Sequence, residues 1–188
     1  NAFKKSKGKI ISFLDSDDFY KKDKISEIVK HFTKYKKSRV VFNKPIYYYS
    51  KKKYKILPNN FFNKTNKNIW PKFPQQSCIS IKRDFLEKYK KIIYIKNFSM
   101  LTLDFRIAVI ANTLLNDYFL LEKNLTYYFQ DDKGEASKFK KFGVNWWKRR
   151  NQAHSFMKFI LKRHGYNHNM YLNYIFSKII NFFIKLFF

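Results

Sequence analysis

An α/β domain is the fold class that the sequence predicts, on three observations. Lys9 to Leu14 is a short, mostly apolar run of strand length, and it ends in Asp15-Ser16-Asp17-Asp18. Asp23 to Tyr35 follows almost at once and places Ile25, Ile28, Val29 and Phe32 at helical spacing. Ser38 to Ser50 is rich in Val, Phe, Ile and Tyr, side chains that suit a pleated, half-buried surface.

Each element has a local reason. Gly8 is a fair helix stop before the first strand, whose unbroken apolar character predicts burial and parallel pairing. Asp23 is a suitable first residue for the helix, because a carboxylate favours the positive end of the helix dipole. Pro45 lacks an N–H and so predicts a break or an edge position in the 38–50 strand. Lys51 to Phe73, rich in Lys and Asn with Pro58 and Pro71, reads as a long loop with one short helix at most. Ser77 to Ile81 is a strand and Lys82 to Tyr89 a helical turn or two. Leu103 to Leu115 is apolar nearly all round, which predicts a buried helix with Asp104 near its start. Phe119 to Phe129 reads as a strand, Gln130 to Lys141 as a polar, flexible link, and Asn145 to His164 as a helix carrying Trp146-Trp147 and Lys148-Arg149-Arg150.

The last segment, 171–188, is amphipathic. At about 100° per residue its polar members Asn173, Ser177, Lys178, Asn181 and Lys185 fall in one arc of roughly 140°. Leu172, Ile175, Phe176, Ile179, Phe183 and Leu186 occupy the opposite face. Lys178 and Lys185 interrupt it as a membrane span. Two readings stand side by side: a helix docked on the domain core, and a basic, aromatic helix lying on a membrane surface. The expected organisation is 1–142 as the catalytic domain and 143–188 as a C-terminal helical extension.

Composition bounds the function. The chain has 188 residues, enough for one domain with its own core or a piece of something larger. Lys and Arg number 40 against 13 Asp and Glu, a net charge of +27, yet 45% of residues are hydrophobic, which argues against disorder. Such a charge draws polyanions at long range, but a bias toward Lys, Asn, Ile, Phe and Tyr in coding would produce it without selection. The single cysteine, Cys78, excludes an internal disulfide framework and a zinc site built on several thiolates, and points to a reducing, cytosolic compartment. The opening Asn1-Ala2-Phe3 carries neither an initiator Met nor a secretory pattern, so the chain reads as starting inside a longer protein. His31, His154, His164 and His168 form no convincing metal set and are expected to be exposed, and Cys78 has no neighbouring base to make it a nucleophile.

The acidic cluster is the most informative site. Three carboxylates at the carboxyl end of a strand lie where open α/β sheets bind ligands. In an extended segment Asp15 and Asp17 project to one side, where they could share a divalent cation, while Asp18 points toward the following helix. Hard oxygen donors select Mg2+ or Mn2+, metals that commonly bridge substrate phosphates. The plainer alternative is that Asp15 to Asp18 only turn the chain and cap the next helix.

Gly8-Lys9-Ile10-Ile11-Ser12-Phe13-Leu14-Asp15-Ser16-Asp17-Asp18 resembles the Asp-x-Asp segment of the family 2 glycosyltransferases. Ser77 to Tyr89 is similar to that family's next strand and helix, and Leu125-Thr126-Tyr127-Tyr128-Phe129 to its Leu-x-Tyr-Tyr strand. Leu103-Asp104 stands where the family carries a Glu-Asp pair, with Leu103 in place of the Glu. The resemblance implies a partial GT-A fold that lacks its first strands, N-terminally truncated, followed by C-terminal helices. It implies an inverting transfer of sugar from a nucleotide-sugar, UDP-linked, to a hydroxyl of a glycan or lipid-linked acceptor in cell-surface glycan synthesis. Asp15 and Asp17 would hold Mn2+ or Mg2+, and Asp15, Ser16, Asp17 and Asp18 would contact the donor. Asp104 would be the catalytic base. Trp146, Trp147, Arg149 and Arg150 would close over donor and acceptor, the alternative for them being helix packing beside solvated cations. The family's Q-x-x-R-W signature of processive synthases is absent, which favours transfer of a single sugar. The implied location is cytoplasmic, peripheral on the inner face of the cell membrane through 171–188. The competing class is a non-enzymatic binder of nucleic acid or another polyanion, which explains the charge but not the acidic cluster; nucleic acid is not the expected partner.

Overall fold

The computed structural model describes residues 2–49, 53–58, 72–115, 119–130, 138–166 and 172–187. The chain forms two compact units, Asn1–Tyr94 with Leu103–Asp131, and Ile95–Thr102 with Asp132–Phe188.

The first unit is a mixed sheet with helices. Its strands are β1 (Ile10–Ser12), β2 (Phe19–Tyr20), β3 (Val40–Tyr49), β4 (Lys53–Ile56), β5 (Ile79–Lys82) and β6 (Phe119–Gln130). They run in the order β1-β5-β3-β6-β2, with β4 on the far half of β3. The central pair, β3 and β6, is parallel; the others are antiparallel. Helices α1 (Ala2–Lys5), α2 (Lys24–Lys34), α3 (Arg83–Ile93) and α4 (Leu103–Val109) complete the unit, and α4 loosens into a π-helical turn over Ile110–Leu114.

Several expectations are altered. β1 is only half-buried and pairs antiparallel with β5, not parallel, and among the described residues it is an outer strand of the sheet. A groove of about 840 Å³, lined by Ile11, Phe13, Leu14 and Leu86 among others, runs along it. Pro45 does not break β3, and on the side away from β6 it falls between the residues paired with β5 and those paired with β4. It sits inside the central strand at a register shift with β6 between Asn43 and Pro45, and that irregularity accommodates the missing N–H. The 51–73 loop includes β4, a hairpin partner of β3, while 59–71 lie outside the described residues.

The core explains the order. Ile28 and Phe32 of α2 pack on Val41, with Ile10, Phe119 and Leu121 around them. Ile79, Ile81, Phe85, Leu86 and Ile107 are essentially inaccessible. α2 is rotated relative to its apparent apolar stripe, for Ile25 and Val29 are exposed whereas Lys24 and His31 are buried.

The second unit is helical, with α5 (Val144–Arg163), α6 (Leu172–Phe187) and the short turn Lys96–Phe98. Phe156, Ile160 and Ala153 form its centre, and the Phe98 and Phe156 rings meet edge to face at 5.2 Å. His31 and His154 are buried, contrary to the expectation of exposure: His31 lies against Phe119 and hydrogen-bonds Ser38 Oγ at 3.2 Å, and His154 packs on Tyr174. His164 is exposed, and His168 lies outside the described residues.

Candidate active site on the acidic turn

β1 ends at Ser12, so the acidic residues do not lie on extended backbone. The Asp18 N–H donates to the Asp15 carbonyl at 3.2 Å, closing a turn, and the side chains sort accordingly. Asp15 is half-buried, with its own N–H on Ser77 Oγ at 2.9 Å and its Oδ1 accepting from Gln76 Nε2 at 2.5 Å. Ser16 and Asp17 are exposed. Asp18 is buried, and its charge reaches Lys24 of α2. Its Oδ1 accepts the Phe129 N–H of β6 at 2.8 Å, while its Oδ2 is buried without a hydrogen bond. Asp23 makes no side-chain cap bond to α2 either. The turn therefore caps no helix, and its strand partner is β6.

The electrostatics follow from burial. Desolvation raises the Asp15 carboxyl above its usual value, the Gln76 hydrogen bond opposes this, and the charge of Asp17 adds to it. Desolvation likewise raises Asp18, opposed by the Ser77 hydroxyl and the Phe129 N–H, with Asp17 and Asp15 adding to the rise. The ion pairs among the described residues are Lys44–Glu122, Arg83–Glu87 and Lys123–Glu27. None involves the turn.

Beneath the turn lies a residue that the sequence reading passed over. Lys24 is fully buried, and its Nζ donates to Ser77 O at 2.5 Å and Thr126 Oγ1 at 3.0 Å while standing 3.7 Å from the Tyr20 ring centroid. Burial pulls its pKa from 10.5 to about 8, with Cys78 and Asp18 acting in the other direction. Thr126 Oγ1 also receives Asn43 Nδ2 at 3.0 Å, so β3, β6 and the turn before β5 meet at one buried polar knot. The signal was available: Lys24, Ile28 and Phe32 recur every four residues on one helical stripe. Cys78, behind the same knot, is fully buried and its thiol is pushed up to about 12, so it is no nucleophile.

Tyr128 connects the turn to Asp104. Its phenol is pushed up to about 12, first by burial and then by the charges of Asp18, Asp104 and Asp15, which places all three carboxylates within electrostatic reach of one ring. Tyr47 meets that ring edge to face at 5.8 Å and accepts Gln75 Nε2 at 2.8 Å through its hydroxyl. Asp104 stands in the first turn of α4, where its Oδ1 accepts the Phe105 N–H at 2.7 Å. Asp15, Asp17, Asp18 and Asp104 thus belong to the same unit.

Trp146, Trp147, Arg149 and Arg150 belong to the helical unit and are engaged there. The two indoles pack edge to face at 4.7 Å, Arg150 lies over Trp146 and donates to Asn173 Oδ1, and Arg149 lies over Phe139 and donates to Thr102 Oγ1. Residues 131–137 of the preceding link lie outside the described residues.

No group of three or more His, Cys, Asp and Glu suited to a metal ion occurs among the described residues. A Mg2+-type site does not require one, because such ions take one or two carboxylates and complete their shell with water and substrate phosphate. Asp15 and Asp17 fit that donor set: hard oxygens, next to each other, one exposed, and with no cation of the protein paired to them among the described residues.

The mixed α/β sheet with its following helices matches a partial GT-A glycosyltransferase fold. Residues 1–90 match the model of glycosyl transferase family 2. Two crystal structures of S. aureus TarS 1-349 share the fold. The complex with UDP aligns at a TM-score of 0.54 and 13% identity over 96% of this chain and 47% of that one. The complex with UDP-GlcNAc aligns at 0.55 and 13% over 96% and 48%. The chain therefore spans about half the length of these structures. No curated protein matches it.

Proposed function

We propose that the chain is the metal- and acceptor-binding part of an inverting glycosyltransferase that moves a sugar from a nucleotide-sugar to a hydroxyl acceptor in cell-surface glycan synthesis. The observation that carries this reading is a turn with three adjacent carboxylates, none in an ion pair among the described residues, in a chain with 40 Lys and Arg. UDP as the nucleotide is supported by the UDP and UDP-GlcNAc complexes of TarS.

Asp15 and Asp17 would hold Mn2+ or Mg2+, whose charge, when bound, stabilises the leaving diphosphate. Ser16 and Asp18 border the same place on the turn. Asp104 takes the proton of the attacking hydroxyl as its oxygen bonds to the anomeric carbon from the face opposite the diphosphate. The bond from that carbon to the diphosphate oxygen breaks, and the nucleoside diphosphate leaves. Trp146, Trp147, Arg149 and Arg150 would contribute to closure over the substrates. A glycan attached to lipid is the acceptor that would place the enzyme at the inner face of the cell membrane.

The test is Mn2+-dependent binding of UDP and UDP-sugars by calorimetry, on the full chain and its Asp17→Ala variant. Binding that needs both the metal and Asp17 supports the transferase. Absence of metal-dependent binding across UDP, GDP and dTDP compounds, with tight, salt-sensitive binding of a polyanion, would replace it with the non-enzymatic reading.

A further inference from the structure

The structure of α6 inverts the usual logic of an amphipathic helix. The side packed within the helical unit is its more polar one: Tyr174, Ser177, Asn181 and Ile184 are buried, and Asn181 Nδ2 donates to the Trp147 carbonyl of α5 at 2.9 Å. Opposite that side, Ile175, Ile179, Phe182, Phe183 and Leu186 fall within an arc of about 100°, at about 100° per residue. They are 41%, 49%, 60%, 52% and 60% exposed. Contiguous exposure of this kind marks a surface that meets something apolar.

Charge decides what that something is. From residue 136 to 188 the sequence carries 11 Lys and Arg and not one Asp or Glu. A second copy of this chain would bring the same cations to the interface, and like charges at a contact work against it. A membrane surface bearing anionic lipid supplies both an apolar bed and the opposite charge. Lys178 and Lys185 stand between the packed and the outward arcs, the Lys178 ammonium lying 5.0 Å from the Tyr174 ring centroid, so that both cations flank the apolar face at the level of the headgroups. The 16-residue helix is about 24 Å long at the usual rise, and no helix of the described residues is long and apolar enough to cross a membrane. The geometry is that of a helix lying in the interface.

We propose that the outward face of α6 binds an anionic lipid surface, with the Ile and Phe side chains inserted and the lysines at headgroup level. The inference does not rest on sugar transfer, since a chain that bound no nucleotide-sugar would still bind vesicles through this face.

The experiment is co-sedimentation of the full chain with phosphatidylcholine vesicles, with and without phosphatidylglycerol. Because Ile179 and Phe183 are about half exposed and lie opposite the packed side of α6, the I179S/F183S double variant should keep a melting temperature close to that of wild type. It loses vesicle binding about tenfold or more, as expected for removing two inserted apolar groups. The K178Q/K185Q variant binds anionic vesicles more weakly and with a shallower salt dependence. Retained binding by I179S/F183S would overturn the proposal, as would absence of binding to anionic vesicles. Concentration-dependent self-association that I179S/F183S abolishes, in a chain that leaves vesicles untouched, would assign the face to a second copy instead. UDP binding by the same samples reports on the transferase reading separately.

Discussion

Lys24→Met tests whether the buried polar knot beneath the acidic turn is read correctly. The substitution keeps most of the stem and removes the ammonium that Ser77 O and Thr126 Oγ1 hold. In the folded chain the lysine pKa is lowered from 10.5 to about 8, chiefly by burial. Below pH 8 both the folded and the unfolded chain hold the proton, so this group adds no pH dependence. Between 8 and 10.5 the unfolded chain holds more of it, and stability rises with pH. Integrated from pH 7 to 9.5, the gain is about 2 kcal/mol for a shift of this size. The Met variant lacks it. At pH 7 its own change is small, because the lost charge-assisted hydrogen bonds and the relieved burial of a cation offset each other. Urea denaturation of both chains across this pH range gives the difference directly, and the titration of Tyr20, common to both, cancels in it. Wild type should gain on the variant by about 2 kcal/mol toward the alkaline end. A difference that stays flat with pH would refute the buried, partly neutralised lysine.

Asp18→Asn retains an oxygen for the Phe129 N–H and removes a carboxylate whose charged form burial disfavours. Its folded pKa lies above the unfolded one, so the charged group costs stability once pH exceeds the unfolded value. The variant should melt at the same or a higher temperature at pH 7 while binding nucleotide-sugar more weakly, as thermal denaturation and calorimetry would show. Asp104→Asn in the whole enzyme should cut turnover by about a hundredfold or more with little change in the donor KM, if the group removes a proton only during the chemical step. Cys78 should resist a thiol reagent in the folded chain at pH 8 and react only at the rate of unfolding, since it is fully buried and its thiol is pushed up to about 12.

The elements that are local were legible in the sequence. The run ending at Leu14, the four apolar residues of α2, the aromatic strand from Phe119 and the helix through Trp146 and Trp147 are each fixed by periodicity within a dozen residues, and each is present. What depends on distant chain was not legible. The direction of β1 is set by β5, about 70 residues later. Pro45 is tolerated in the central strand where β6 shifts register beside it and where neither β4 nor β5 pairs with it. The interior places of Lys24, His31 and His154 depend on acceptors and rings from Ser77, Thr126, Phe119 and Tyr174. For the acidic turn, the residue types were visible and their directions were not, since the alternation of a strand does not apply to a turn that faces Asp18 toward β6.

The strongest argument against the polyanion-binding class comes from how cations are distributed around the turn. A surface selected only to hold polyanions has no use for a carboxylate cluster, and in a chain with 40 Lys and Arg any such cluster would readily be neutralised by a neighbour. The buried cation Lys24, whose charge is felt by Asp18, donates its hydrogen bonds to a carbonyl and a hydroxyl and forms no ion pair with the turn among the described residues. The turn is held by an amide side chain, a serine and a backbone N–H, which orient carboxylates without cancelling their charge. Burial, with the neighbouring carboxylates adding to it, raises the pKa of Asp15 and Asp18, and a hard cation held there would relieve the repulsion among them. The same basic chain that disfavours a cluster of protein carboxylates paired to nothing favours the anionic substrate such a cation would bring. Under the proposed function, the charge and the turn would be two halves of one electrostatic arrangement, and a nucleotide-sugar carried with its metal would satisfy both.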